Sequence, residues 1–257
     1  MFSDNKSYDK IRKLSDVHLT ILYDIVSINH NMKTGIGFSC LIQVGNIKIL
    51  FDTGGDGLIL LNNMHRLHID PHSIKYLLLS HSRLGNIGGL EDFLNVNRNV
   101  VVYIPDKFPA ILTENIKIFT KKVHQVLSVQ EIYPNVFSLG EFLGIFKEQA
   151  MAIRSSKGII IIVGCAHHGI EVIMQRTQDA FPDETIFMLM GGFHFSGLSE
   201  AEKIKMIETI RKYKVQNVAA CFCCEEVGRK ILQRTYNKNF IPLGAGGTIT
   251  IKANQIP

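Results

Sequence analysis

The stretch Leu79-Ser80-His81-Ser82-Arg83-Leu84-Gly85-Asn86-Ile87-Gly88-Gly89-Leu90 constrains the fold of this chain more than any other. An apolar run over residues 76–79 reads as a buried strand and leads directly into Ser80-His81. A short loop follows, and Gly88-Gly89-Leu90 opens a helix near residues 90–96. A strand, a loop with a histidine at its start and a helix are the parts of a layered α/β fold. In such folds functional residues tend to lie on the loops after strand ends.

The chain has 257 residues, 46% of them hydrophobic, which suffices for one large domain over 1–257 with a substantial core. Residues 1–15 are polar and are expected to be loosely ordered. The net charge of +5 comes without a dense basic block; Lys121-Lys122 and Arg211-Lys212 are short pairs. A solvated surface is therefore expected rather than a nucleic-acid interface, and the mild bias suits a small anionic partner. Met1-Phe2-Ser3-Asp4-Asn5-Lys6 carries charges where a signal peptide needs an apolar run. The longest apolar stretch, residues 159–163, is too short to span a bilayer. A cytoplasmic protein without a membrane partner is expected. Its five cysteines, an odd number, are expected to be free thiols. The oligomeric state is left open.

No linker or low-complexity tract divides the chain. Strands are expected over 18–23, 38–44 and 47–52, with a hairpin at Gly45-Asn46 and half-burial from the alternation of Ile47, Ile49 and Phe51. A helix over 58–67 and strands over 76–80 and 100–104 complete the first half. In the second half, 159–163 reads as a strand buried on both faces. Helices are expected over 169–181 and 227–236, and strands over 185–190, 218–221 and 248–252. Ser199-Glu200-Ala201-Glu202 is a capping box for a helix to about 213. Hairpins first, then strand–helix alternation in both halves, predict an α/β architecture of two packed sheets with helices outside, an αββα sandwich of four layers.

Five expected strand ends carry reactive residue types: Asp52, His81, the turn Gly164-Cys165-Ala166-His167-His168-Gly169, His194, and the turn Cys221-Phe222-Cys223-Cys224. With Phe51-Asp52-Thr53-Gly54, Ser80-His81, Gly88-Gly89-Leu90, Glu148-Gln149-Ala150, Gly164-Cys165-Ala166-His167-His168-Gly169-Ile170, Gly191-Gly192-Phe193-His194 and Cys221-x-Cys223, the chain resembles the metallo-β-lactamase-fold superfamily. Within it, the chain is similar to the group that includes the archaeal dihydropterin–ribofuranosylaminobenzene-phosphate synthases. The matching pieces stand in family order across roughly residues 17–252.

The resemblance implies one or two divalent metals held by His and Asp, which lower the pKa of water and neutralise phosphoryl or acyl charge. It also implies that His81 is the first ligand of the loop motif His-x-His-x-Asp-His, His167 the ligand after the second-half strand, and His194 the Gly-Gly-Phe-His position. Arg83, Gly85, Asn86 and Phe222 stand where the family has His, Asp, His and His. A guanidinium does not lose its proton and cannot ligate. The expected cofactor is therefore none, or one weakly bound zinc, iron or manganese ion on His81, His167 and His194. An alternative soft site draws on Cys165, Cys221, Cys223 and Cys224 with His167 or His194.

Arg83 presents a planar donor fork suited to phosphate or carboxylate. The candidate ligand-binding set is thus Arg83, Asn86, His81, His167, His194 and Asp52. The other reading of Arg83 has it in solvent, or paired with Asp52 or Glu91. Asp52 either orients a histidine through a hydrogen bond or caps a turn. His65, His68 and His72 are expected at the surface, and His168 at the surface or behind a site residue. Two function classes stay open: a metal-poor pseudoenzyme that binds a small phosphorylated anion, and a hydrolase or transferase of the synthase type with one metal or a remodelled site. No catalytic residue is assigned.

Overall fold

The computed structural model describes residues 14–144 and 146–253, so the loosely ordered start expected for 1–15 lies almost wholly outside the described residues. The first half runs β1 (Val17–Tyr23), β2 (Ser39–Val44), β3 (Ile47–Phe51), α1 (Gly57–Arg66), β4 (Ile74–Leu78), α2 (Leu84–Ile87), α3 (Leu90–Val96), β5 (Val101–Pro105), α4 (Ala110–Phe119) and β6 (Val123–Val126). The second half runs β7 (Gln130–Tyr133), β8 (Val136–Ser138), β9 (Met151–Ser155), β10 (Gly158–Val163), α5 (Ile170–Ala180), β11 (Ile186–Gly191), α6 (Glu200–Lys212), β12 (Asn217–Ala220), α7 (Glu226–Tyr236) and β13 (Thr248–Ile251). One sheet has the order β13-β1-β2-β3-β4-β5-β6, the other β12-β11-β10-β9-β8-β7.

The pleat explains the layering. In β10, Ile160 and Ile162 face the other sheet, where they join Leu19, Ile49 and Phe51. The alternate residues Ile159, Ile161 and Val163 face Ile173 and Met174 of α5 and Ile207 and Ile210 of α6. In β3, Leu50 faces Leu60 and Met64 of α1 and Phe93 of α3. Three apolar layers therefore separate helix, sheet, sheet and helix, which is the αββα sandwich. Burial of each such side chain contributes about 1.5–3 kcal/mol relative to exposure. The end of β3 is buried on both faces rather than half-buried, because the outer helices cover Leu50.

Local signals act as their chemistry requires. Gly45 takes φ 58 at the β2–β3 hairpin, where Val44 opposes Ile47. The Ser199 and Glu202 side chains form the reciprocal capping box of α6. β3 and β4 pair in parallel, as do β10, β11 and β12, so the C-terminal ends of these five strands gather at one edge of the sandwich.

Candidate functional site

At that edge a cavity of about 390 Å³ opens, lined among others by His81, Arg83, Asn86, Cys165, His167 and His194. Four of the six sequence-predicted residues, His81, Arg83, His167 and His194, meet through ring or hydrogen-bond contacts. The His167 ring lies 4.7 Å from that of His81 and 4.8 Å from that of His194, centroid to centroid. Asp52 lies beneath them, fully buried.

Asp52 follows β3 in a left-handed conformation, φ 56. Its Oδ1 accepts from Ser80 N at 2.7 Å, and its Oδ2 accepts from Ser80 Oγ and from Asn86 Nδ2, both at 2.6 Å. With its proton given to Asp52, Ser80 Oγ is left to accept from His81 Nδ1, 2.7 Å away. That assignment leaves His81 Nε2 as the free lone pair. Burial pushes the Asp52 carboxyl up to about 7, against the bonds from Ser80 and Asn86. Burial also pushes His81 down to about 4, so His81 is neutral near pH 7. Asp52 therefore orients a histidine, and Asn86 turns its amide nitrogen to Asp52. Gly164 lets the second sheet close on this chain of bonds, since a Cβ there would stand 2.1 Å from Ser80 Oγ.

Glu148 is the residue that sequence reasoning left without a role. Its carboxylate accepts from the backbone N–H groups of Cys165 (3.1 Å), Ala166 (2.8 Å) and His167 (2.8 Å). It also lies 3.3 Å from His167 Nδ1. Burial acts to raise its pKa, but the bonds from His167 and the nearby His81 outweigh that and hold it at about 2. Glu148 thus fixes the loop after β10, in which Ala166 and Gly169 take φ 59 and 83. No local pattern distinguishes such a carboxylate from a surface one.

Arg83 lies with Nη1 3.2 Å from His167 Nε2 and its guanidinium 4.9 Å from the centre of the Phe146 ring. For Arg83 to donate there, His167 carries its proton on Nδ1, toward Glu148. His168 Nε2 lies 2.6 Å from the Phe146 carbonyl oxygen and braces this platform from behind. Arg83 is exposed, and its guanidinium rests against His167 and Phe146 rather than on Asp52 or Glu91. His65, His68 and His72 are exposed, as expected.

The five cysteines separate into two kinds. Cys40, Cys221 and Cys224 are buried outside the cavity, and Cys224 Sγ accepts from Phe193 N at 3.3 Å. Cys165 and Cys223 line the cavity. Cys165 Sγ lies 3.2 Å from Cys223 Sγ and 3.3 Å from His194 Nδ1. The Cys165 thiol donates to Cys223, which holds Cys223 well below the usual thiol range and Cys165 above it. His194, at φ 53, donates its backbone N–H to Cys223 Sγ at 3.1 Å.

No protein-family model matches the chain. It is similar to the 7,8-dihydropterin-6-methyl-4-(β-D-ribofuranosyl)-aminobenzene-5′-phosphate synthase of Methanocaldococcus jannaschii, with 25% identity across 93% of this chain and 98% of the relative. Among solved structures it is similar to Tm1679, described as a metal-dependent hydrolase of the β-lactamase superfamily, with a TM-score of 0.77 and 25% identity over 91% of this chain and 98% of that one. The metallo-β-lactamase fold protein YhfI from Bacillus subtilis superimposes with a TM-score of 0.68 at 11% identity, over 91% and 99%. The chain has the metallo-β-lactamase fold.

Metallo-β-lactamase-fold relatives raise the question of whether these residues suit the two-ion centre that the loop motif implies. Among the described residues, two groups have donor atoms that lie within 4.8 Å of one another, His81–Glu148–His167 and Cys165–His167–His194. In the first, Glu148 is committed to three backbone N–H groups, and the Arg83 cation sits on His167 Nε2. The second-ion side is filled by carbon: a Cβ at Gly85 would lie 3.2 Å from Phe222 Cζ. Phe222 is tied down through its backbone N–H to Asp24 Oδ1 at 3.1 Å, which also accepts from Arg229 Nη2 at 3.2 Å. The His/Asp two-ion centre of the fold does not fit this site.

Proposed function

We propose that this metallo-β-lactamase-fold chain binds a small phosphorylated molecule in the cleft, with Arg83 supplying the positive charge that metal ions supply elsewhere in the fold. The observation that carries the reading is the Arg83 guanidinium held 3.2 Å from His167 Nε2 at the cavity wall. A guanidinium offers five donors and cannot be deprotonated, so several face an incoming phosphate while one is spent on His167. His194 adds an imidazole partner, while His81, neutral and presenting a lone pair at Nε2, accepts from a hydroxyl of the ligand. Asp52 and Asn86 act by positioning, through Ser80 and the loop backbone. The Methanocaldococcus relative is a synthase named for a ribofuranosyl-aminobenzene 5′-phosphate, which supports a sugar phosphate as the ligand class. With the two-ion centre misfitted, the reading is of a binding protein rather than a two-metal hydrolase.

Calorimetric titration with ribose 5-phosphate tests this. Loss of one charged hydrogen-bond partner costs roughly 1.5–3 kcal/mol. Arg83→Ala should weaken binding at least about tenfold. Equal affinity in the variant and the parent would remove Arg83 as the anchor. Turnover by a protein carrying two ions would favour the hydrolase or transferase reading instead.

A further inference from the structure

We propose that Cys165, Cys223 and His194, with His167 as a fourth donor, form a site for a single thiophilic cation, zinc in the first instance. This site shares His167 and His194 with the ligand set the resemblance implies but replaces its other ligands with sulfur, and it goes beyond the anion-binding reading. A tetrahedral zinc ion with bonds of about 2.0–2.3 Å requires its donor atoms to stand roughly 3.5 Å apart. Cys165 Sγ meets that spacing twice, at 3.2 Å to Cys223 Sγ and 3.3 Å to His194 Nδ1. Cys165, His167 and His194 lie within 4.8 Å of one another; Cys223 joins them through Cys165, and His167 Nε2 becomes a donor once Arg83 releases it. Cys221 and Cys224, on the same turn, are excluded because both are fully buried away from the cavity.

Charge decides why a cation is acceptable here and not at the histidine pair. Two thiolates neutralise a dication, so the neighbouring Arg83 guanidinium faces no excess positive charge. Histidines alone leave the full charge of the ion beside it. The surroundings also suit anionic sulfur: His194 N donates to Cys223 Sγ at 3.1 Å. Gly192 gives the sulfur its room, since a Cβ there would lie 2.6 Å from Cys223 Sγ. Both loops are held before any ion arrives. Glu148 fixes the backbone of Cys165, and Phe195 N donates to the Cys223 carbonyl at 3.0 Å. The cavity supplies an entry path for the ion. Binding replaces the proton of Cys165 by metal and releases it to solvent, with no change of oxidation state.

The test uses the full chain, stripped with chelator and kept reduced, and titrated with cobalt(II). One equivalent should bind with an intense sulfur-to-cobalt charge-transfer band in the near ultraviolet. Cys165→Ser and Cys223→Ser should each reduce the band to about half or less and the double variant should abolish it, and zinc affinity by chelator competition should fall about a hundredfold or more in each. His81→Ala should keep the band. Arg83→Ala should keep it too while losing sugar-phosphate binding, which separates this site from the anion-binding reading. If a serine variant fails to fold, the parent still decides: one equivalent of zinc should protect Cys223 from alkylation by iodoacetamide. Cobalt binding without the band, a band that survives both serine changes, or alkylation unaffected by zinc would overturn the proposal.

Discussion

Arg83→His is the perturbation that asks most directly what keeps a hard metal off the histidine pair. A metal on His167 Nε2 would sit about 2.1 Å beyond that nitrogen. Arg83 Nη1 is 3.2 Å from the same nitrogen, so the cation and the ion would be within about 5 Å. At an effective dielectric of about 20, a dication and a unit charge at that distance repel by about 7 kcal/mol. Arg83 is exposed, so we retain about a third of this for solvent screening. The remaining ~2 kcal/mol corresponds to about thirtyfold in affinity. Arg83→Ala should therefore raise zinc affinity about thirtyfold. Arg83→His, which adds an imidazole beside His81 and His167, should raise it at least about tenfold more. Chelator competition in a Cys223→Ser background reads both without the thiol pair. If Arg83→Ala binds zinc no better than the parent, the charge argument is wrong. If Arg83→His is no tighter than Arg83→Ala, position 83 does not aim a short side chain at the cleft.

Two further outcomes follow from the buried carboxylates. Glu148→Ala strands three backbone N–H groups, each costing about 1–3 kcal/mol, so urea denaturation should show a loss of about 3 kcal/mol or more. Burial lifts Asp24 to about 6, above its unfolded value, so its contribution to stability is complete below pH 4 and is lost as the pH rises toward 6. Asp24→Asn should therefore lose less, relative to the parent, at pH 7 than at pH 4; the opposite trend in paired urea melts would show that the Arg229 contact outweighs burial.

The fold was legible where the sequence carries a period. The isoleucine run of β10, the Gly45-Asn46 hairpin and the Ser199 capping box all translate directly into backbone, because each acts through neighbours in the chain. α4 and β6 to β9 were not anticipated. β6 pairs with β5 only across α4, β7 and β8 form a hairpin of strands too short to show a period, and α4 interleaves its apolar residues with Thr113, Glu114 and Lys117. In the site, His81, Arg83, His167 and His194 follow from strand ends and resemblance. The orientation of Arg83 toward Phe146 and His167, the commitment of Glu148 to a backbone loop, and the pairing of Cys165 with Cys223 depend on contacts between residues 58 or more positions apart in two cases. No window of sequence contains them. Gly85 does not take a positive φ, so what crowds an acidic residue there is the Phe222 ring, brought from the turn after β12 by a contact that sequence alone does not display.

Elemental analysis of protein purified without chelator tests the central claim, that the histidine loop no longer builds the two-ion centre of its fold. The account predicts no more than one zinc per chain, lost in a Cys165→Ser/Cys223→Ser double variant and retained in His81→Ala. Two ions per chain that survive loss of both cysteines and disappear in His81→Ala would contradict it.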